Sequence, residues 1–86
     1  MDSAQKLQVD QSLDIRGIPR AAGFMKAREQ LQGMGENQVL ELYIDEGEPL
    51  TTIPFALRAD GHEILVSEPS NHGVRLLVRK RSLLTT

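Results

Sequence analysis

The chain has 86 residues, a formal net charge of −2 and no cysteine. This length corresponds to one domain, and the charge disfavours bulk attraction to nucleic acids or anionic membranes. Without cysteine there are no disulfides, thiolate metal ligands or cysteine nucleophiles. The N-terminal residues are polar, and no apolar run reaches the roughly 18 residues that span a bilayer. We therefore expect a cytoplasmic protein without a signal peptide or a membrane anchor.

The first predicted elements are a strand, a tight turn and a helix, which together cover residues 13–34. Apolar and polar residues alternate at the start of this segment, and a glycine and a proline then break the pattern. From about Ala21, apolar residues recur at helical spacing on one face, namely Phe24, Ala27, Leu31 and Met34. The helix is expected to end near Gly35. Arg20 lies where it begins, and the unpaired N–H groups and positive potential of a first helical turn suit a reactive or anion-binding group.

Further elements are predicted downstream. They are a strand at 38–44, an acidic turn at 45–49, a short helix, a strand at 62–68, a hairpin loop at 69–73 and a strand at 74–81. The second helix is expected to span roughly two turns, with Thr51 or Thr52 as its N-cap and Pro54 in its first turn. Gly61 suits the position just past its end.

The predicted order is β-α-β-α-β-β. Two helices and four strands in so short a chain can bury their apolar faces only as an α/β two-layer sandwich, with both helices on one face of a mixed four-stranded sheet. We expect a single domain over residues 1–86 with an ordered core at about 11–81, between a polar N-terminal arm and a short tail. The other face of the sheet, here called the open sheet face, is predicted to carry Arg16, Glu41, Tyr43, Leu65, Arg75, Leu77 and Arg79.

Several short segments carry a family resemblance. They are LDIRG at 13–17, DEGEP at 45–49, TTIP at 51–54, GHE at 61–63 and VRK at 78–80. Over about residues 12–80 the chain resembles the TusA-like (SirA-like) sulfur-carrier family. The resemblance implies the same two-layer fold, which is also similar to the C-terminal domain of translation initiation factor 3. It further implies a place in a sulfur relay, where a cysteine accepts persulfide sulfur from a donor protein and passes it on.

Members of that family carry Cys-Pro-x-Pro where the first turn meets the first helix. In this chain the four matching positions are Arg20, Ala21, Ala22 and Gly23. Because arginine cannot carry a persulfide, the resemblance implies a scaffold without its sulfur-carrying residue. We therefore expect no catalytic residue and no cofactor. The favoured hypothesis is a monomeric docking or regulatory module that contacts proteins of a sulfur relay.

Three interpretations of Arg20 stay open. In the first, the site has lost its function and the arginine is simply solvated. In the second, Arg20 holds a phosphate or a partner carboxylate at the start of the helix, together with Arg16, Gly17 and Lys26. In the third, the arginine was introduced in place of a natural cysteine, and the protein is a sulfurtransferase or sulfur carrier.

Other site chemistry has little support in the sequence. His62 and His72 lack a partner at metal-ligand spacing, so we expect no metal site. The acidic turn lacks the alternating ligands of an EF-hand. No G-x-S-x-G segment supports a hydrolase.

The last strand ends in basic residues, which raises RNA binding as an alternative function. Arg75, Arg79, Lys80 and Arg81 could contact phosphates while Tyr43 stacks on a base. The low aromatic content and the net negative charge disfavour this alternative. Contact with a protein through the open sheet face is favoured instead, with Tyr43, Arg75, Leu77 and Arg79 as candidate contact residues.

Overall fold

The structure, a computed structural model, describes residues 8–81, without the side chain of Glu48. Most of the predicted N-terminal arm and all of the predicted tail at 82–86 lie outside the described residues. Within the described part of the chain, neither helix has the length or the apolarity needed to cross a bilayer.

The six elements follow the predicted order. They are β1 (Gln11–Asp14), α1 (Arg20–Gln32), β2 (Val39–Ile44), α2 (Glu48–Ala59), β3 (Glu63–Ser70) and β4 (Gly73–Arg79). The strands form one sheet in the order β1-β2-β4-β3. β1 is parallel to β2, and β4 is antiparallel to both β2 and β3, so the sheet is mixed as predicted.

The core lies between the sheet and the two helices. Alternate residues of the two central strands are fully buried, because both helices cover the same face of the sheet. These residues and the helix residues above them are Leu40, Leu42, Ile44, Leu76 and Val78 from the sheet, Ala27 and Leu31 from α1, and Ile53 and Leu57 from α2. Burial of each large side chain contributes on the order of 1.5–3 kcal/mol. The predicted two-layer α/β sandwich is thus confirmed.

The start of α2 differs from the prediction. The helix begins at Glu48 after Gly47, has 12 residues, and places Pro54 in its interior. The expected N-cap at Thr51 or Thr52 was therefore wrong. The first-turn proline is Pro49, which fits because an N–H there has no intrahelical acceptor. The predicted helix had Pro54 rather than Pro49 in its first turn, and it was therefore about one turn too short.

The β3–β4 hairpin is tighter than predicted. Only Asn71 and His72 lie between the strands, and His72 has a φ of 59°. Gly73 then begins β4, where a Cβ atom would collide with the carbonyl oxygen of Ile44. A register shift between Ile64 and Val66 places Val66 opposite Leu77. The bulge, which the sequence pattern did not reveal, therefore puts Val66 in the place predicted for Leu65.

α1 ends at Gln32, slightly earlier than predicted. Lys80, the residue after β4, contacts this end of the helix. The last turn of α1 contains no basic residue of its own. Lys80 supplies the positive charge instead: its Nζ donates hydrogen bonds to the carbonyl oxygens of Leu31 at 2.7 Å and Met34 at 3.3 Å. A cation at this position complements the negative end of the helix dipole.

Candidate functional site

The start of α1 is the position that the sequence singled out. Arg20 is the first residue of α1 and is exposed, and Pro19 precedes it as an N-cap without a side-chain hydrogen bond. The backbone hydrogen bonds of α1 begin at Gly23, whose N–H donates to the carbonyl oxygen of Pro19 at 2.8 Å. The preceding N–H groups have no intrahelical acceptor, as at any helix start.

Close packing fixes the first turn of α1 against the loop before it. Gly23 is buried, and a Cβ atom there would lie 3.3 Å from Cδ1 of Ile15. Glycine therefore lets the helix approach Ile15 closely. A proline at this position, as in the family motif, would also remove the hydrogen bond from Gly23 to Pro19.

Arg20 borders a groove between the two helices. The groove has a volume of about 160 Å³ and is lined by Arg20, Ala21, Phe24, Thr52, Ile53 and Ala56. Phe55 and Met25 neighbour the lining residues Ala56 and Phe24 in the chain, and their large apolar side chains are exposed by 72% and 51%. The surface formed by the groove, Phe55 and Met25 is here called the helical surface. Nothing in the sequence analysis identified Phe55, although its position off the Ile53–Leu57 face of α2 was a usable signal.

A carboxylate holds the loop that leads into α1. Gly17 has a φ of 81°, a conformation that glycine adopts without strain. Its N–H donates a hydrogen bond to Oδ2 of Asp45 at 2.9 Å. This N–H is therefore already engaged with Asp45, a residue of the predicted acidic turn.

Arg16 is held on the open sheet face. Its guanidinium donates to both carboxylate oxygens of Asp14, at 2.9 and 2.7 Å, and to the carbonyl oxygen of Asn71 at 2.7 Å. It also lies over the ring of Tyr43, 5.1 Å from the centroid. The hydrogen bonds from the Arg16 side chain and backbone lower the pKa of Asp14 to about 2. Arg16 thus connects the loop before α1 to the hairpin tip.

The four candidate anion-binding residues are not gathered in one place. Arg16 contacts the open sheet face and Gly17 binds Asp45, whereas Arg20 borders the groove between the helices. Lys26 lines a different hollow, which is formed with Leu13, Glu29 and Gln30. The structure therefore places the four residues in different contacts, and an anion site that they share stays a prediction.

Glu41 is the centre of an ion-pair network on the open sheet face. Its carboxylate accepts hydrogen bonds from Nε of Arg75 at 2.6 Å, from the Ser12 hydroxyl at 2.9 Å and from the Tyr43 hydroxyl at 3.1 Å. Arg75 also pairs with Glu68 at 2.7 Å. The hydrogen bond from Arg75 is the main cause that lowers the pKa of Glu41, and burial opposes it.

The other basic residues of this face are also paired. Arg79 lies 3.3 Å from Glu63, and Arg81 lies 3.6 Å from the same carboxylate. RNA binding by these arginines would have to break ion pairs that the fold already contains. Leu77 is one of the four candidate contact residues on this face. Because it is only 4% exposed, it offers almost no surface to a partner.

Among residues 8–81, the structure brings together no three histidine, aspartate or glutamate side chains that could bind a metal ion.

Comparison with known proteins agrees with this fold. A family model described as "Sulfurtransferase TusA" matches residues 11–80. A protein of Thermotoga maritima, named as a candidate sulfur carrier protein, is 33% identical over 63 residues, which cover 73% of this chain and 80% of that protein. A protein of Archaeoglobus fulgidus with the same name is 24% identical over 79 residues, which cover 91% of this chain and 90% of that protein. The chain belongs to the TusA family, as the sequence resemblance indicated.

Proposed function

We propose that this protein binds partners in a sulfur relay without carrying sulfur itself. The observation that carries the proposal is the residue at the start of α1. Arg20 stands there, at the place matched to the family's cysteine, in a sequence without any cysteine. A guanidinium has no thiol on which a persulfide could form. We place this function in the cytoplasm and assign it to a monomer, which cell fractionation and sedimentation would test.

The helical surface supports a docking role. Phe55 and Met25 expose large apolar side chains on the two helices that form a groove with mostly apolar walls. Exposed apolar patches of this kind commonly mark protein contacts. The open sheet face is less suitable, because its charged side chains already pair with each other.

The charge of the helices indicates the chemistry of the partner. α1 and α2 together contain four basic and two acidic residues, in a chain whose net charge is −2. The helical layer is therefore more positive than the rest of the molecule. A partner segment with an apolar side chain for the groove and acidic residues around it would match this surface.

The first test is persulfide loading. The protein and its Arg20→Cys variant are incubated with a cysteine desulfurase and cysteine, and bound sulfane sulfur is measured by mass spectrometry. We expect loading of the variant only. Sulfane sulfur bound to the unmodified protein would overturn the proposal.

The second test is capture of desulfurases, rhodanese-type proteins and other relay proteins from the same organism. The tagged protein and the Arg20→Cys variant should capture the same relay proteins. Phe55→Glu should weaken the interaction at least ~10-fold, because exposed aromatic residues commonly dominate interface energies. Val9→Glu is the matched control, since Val9 is 37% exposed and lies outside both helices. Capture by the cysteine variant alone would show that recognition depends on persulfide exchange and would refute a docking role.

A second candidate function is sulfur carriage by a natural form of this protein with cysteine at position 20. The names of the two relatives favour it, since both are described as candidate sulfur carriers. Sequencing position 20 of the gene in the source organism decides between the two.

A further inference from the structure

A histidine side chain holds the end of the described chain against the sheet. Nδ1 of His62 accepts a hydrogen bond from the backbone N–H of Arg81 at 3.1 Å. The backbone N–H of His62 donates to the carbonyl oxygen of Leu57 at 3.1 Å, which ties the histidine to the end of α2. His62 therefore connects α2 to the residues that follow β4.

Within residues 8–81, the other side-chain attachments of Arg81 are weak. Its guanidinium lies 3.5 Å from the carboxylate of Glu36 and 3.6 Å from that of Glu63, and all three side chains are about half exposed. Exposed ion pairs of this length contribute on the order of 0–1 kcal/mol. The hydrogen bond to His62 is thus a large part of what fixes Arg81.

The residue before Arg81 is attached independently. The backbone N–H of Lys80 donates to Gln38 at 2.8 Å, and its carbonyl accepts from Asn37 at 2.8 Å. Its Nζ binds the end of α1. Loss of the His62 contact would therefore free Arg81 without detaching Lys80.

The bond to Arg81 depends on the protonation state of His62. A neutral imidazole has one nitrogen that accepts a hydrogen bond, whereas an imidazolium donates from both nitrogens. Protonation would therefore place an N–H against the N–H of Arg81. It would also add a positive charge near Lys80, whose charge already acts on this imidazole.

Charged groups from every neighbouring element act on this imidazole. They are Asp60 after α2, Glu36 between α1 and β2, and Lys80 after β4. Glu63 on β3 is the next residue in the chain, and Arg81 contacts the ring through its backbone N–H. Burial lowers the pKa of His62, and Lys80 acts in the same direction, while Asp60 and Glu36 act in the opposite direction. The lowered pKa agrees with a hydrogen bond that only the neutral ring can make.

We propose that His62 is a proton switch, which holds Arg81 on the sheet when neutral and releases it when protonated. The change is local because the core and the Lys80 contacts do not involve the imidazole. Released Arg81 would also leave the carboxylate of Glu36, whereas Glu63 keeps its ion pair with Arg79.

The test is an NMR titration of the full ¹⁵N-labelled chain from pH 8 to pH 5. The imidazole signals of His62 report its protonation, and the amide shift and heteronuclear NOE of Arg81 report its attachment. We expect the Arg81 signals to change with the same midpoint as His62, below the ordinary value of about 6.5. Protonation of His62 should lower the ratio of attached to released Arg81. The fall is about tenfold for each unit by which this contact lowers the pKa of His62.

Two variants isolate the switch. His62→Asn offers an oxygen acceptor that does not titrate, so Arg81 should stay attached across the whole pH range. His72→Asn is the matched control, because His72 lies in the hairpin turn and asparagine tolerates its positive φ. That variant should keep the transition of Arg81. The proposal is wrong if Arg81 does not follow the His62 titration in the unmodified protein, or if its transition persists in His62→Asn.

Discussion

Lys80 is expected to make a large contribution to stability through its contacts with the end of α1. Its Nζ lies 2.7 Å from the carbonyl oxygen of Leu31 and 3.3 Å from that of Met34. Hydrogen bonds from a charged group are worth about 1.5–3 kcal/mol, and the helix dipole adds to them. Lys80→Met keeps the aliphatic stem and removes the ammonium group. We expect a loss of about 2 kcal/mol in the free energy of unfolding, because two hydrogen bonds from a charged donor and its interaction with the helix dipole are lost. The Leu31 carbonyl keeps the hydrogen bond from the backbone N–H of Met34 at 3.0 Å.

The assay is urea unfolding followed by circular dichroism. The midpoint should fall while the m-value stays constant, because the variant exposes the same surface on unfolding. In a domain of this size the melting temperature should fall by about 8–16 °C. Lys26→Met is the matched control, since Lys26 is an exposed lysine of α1 away from the helix end. Equal effects of the two substitutions would refute the capping role of Lys80.

Three further predictions follow from the structure. Because the folded pKa of Asp14 is about 2, below its ordinary value of 3.8, this carboxylate stabilises the fold above about pH 4. That stability is lost as the pH falls towards 2. The melting temperature should therefore fall less steeply over this range in Asp14→Asn. Gly73→Ala should destabilise by about 3 kcal/mol in urea unfolding, because the new methyl group would collide with a strand carbonyl, whereas Gly33→Ala meets only ordinary contacts. In Arg20→Cys the thiol should have a pKa below the ordinary value of about 8.5, measured by alkylation rate against pH, since helix starts stabilise thiolates. An ordinary pKa would mean that the helix start does not activate a thiol here.

The sequence was sufficient to predict the element order and the layers, because both follow from hydrophobic period. The apolar residues Leu40, Leu42 and Ile44 at alternate positions of β2, and the helical spacing from Phe24 to Met34, identify which faces are buried. Boundaries were less certain where two signals of the same kind compete. Pro49 and Pro54 both suit a first helical turn, and only the structure shows that the helix starts before the earlier one.

The candidate site could not be assembled from sequence spacing. Arg16, Gly17 and Arg20 lie within five residues of one another, which favoured a shared anion site. The turn between them sends Arg16 to the sheet and leaves Arg20 at the groove between the helices. The partner of Gly17 is Asp45, 28 residues away. Such long-range contacts leave no periodic trace in a single sequence.

Long-range contacts also decide which surface is available to a partner. Alternation along β4 correctly places Arg75, Leu77 and Arg79 on one face, but it cannot show that carboxylates neutralise both arginines or that Leu77 is covered. A partner docking there would have to replace ion pairs that are already made, at a desolvation cost. Docking against Phe55 would require no such exchange, since its side chain is largely exposed to water. Burying that ring would be favourable from the first contact, and for this reason the proposed docking site lies on the helical surface.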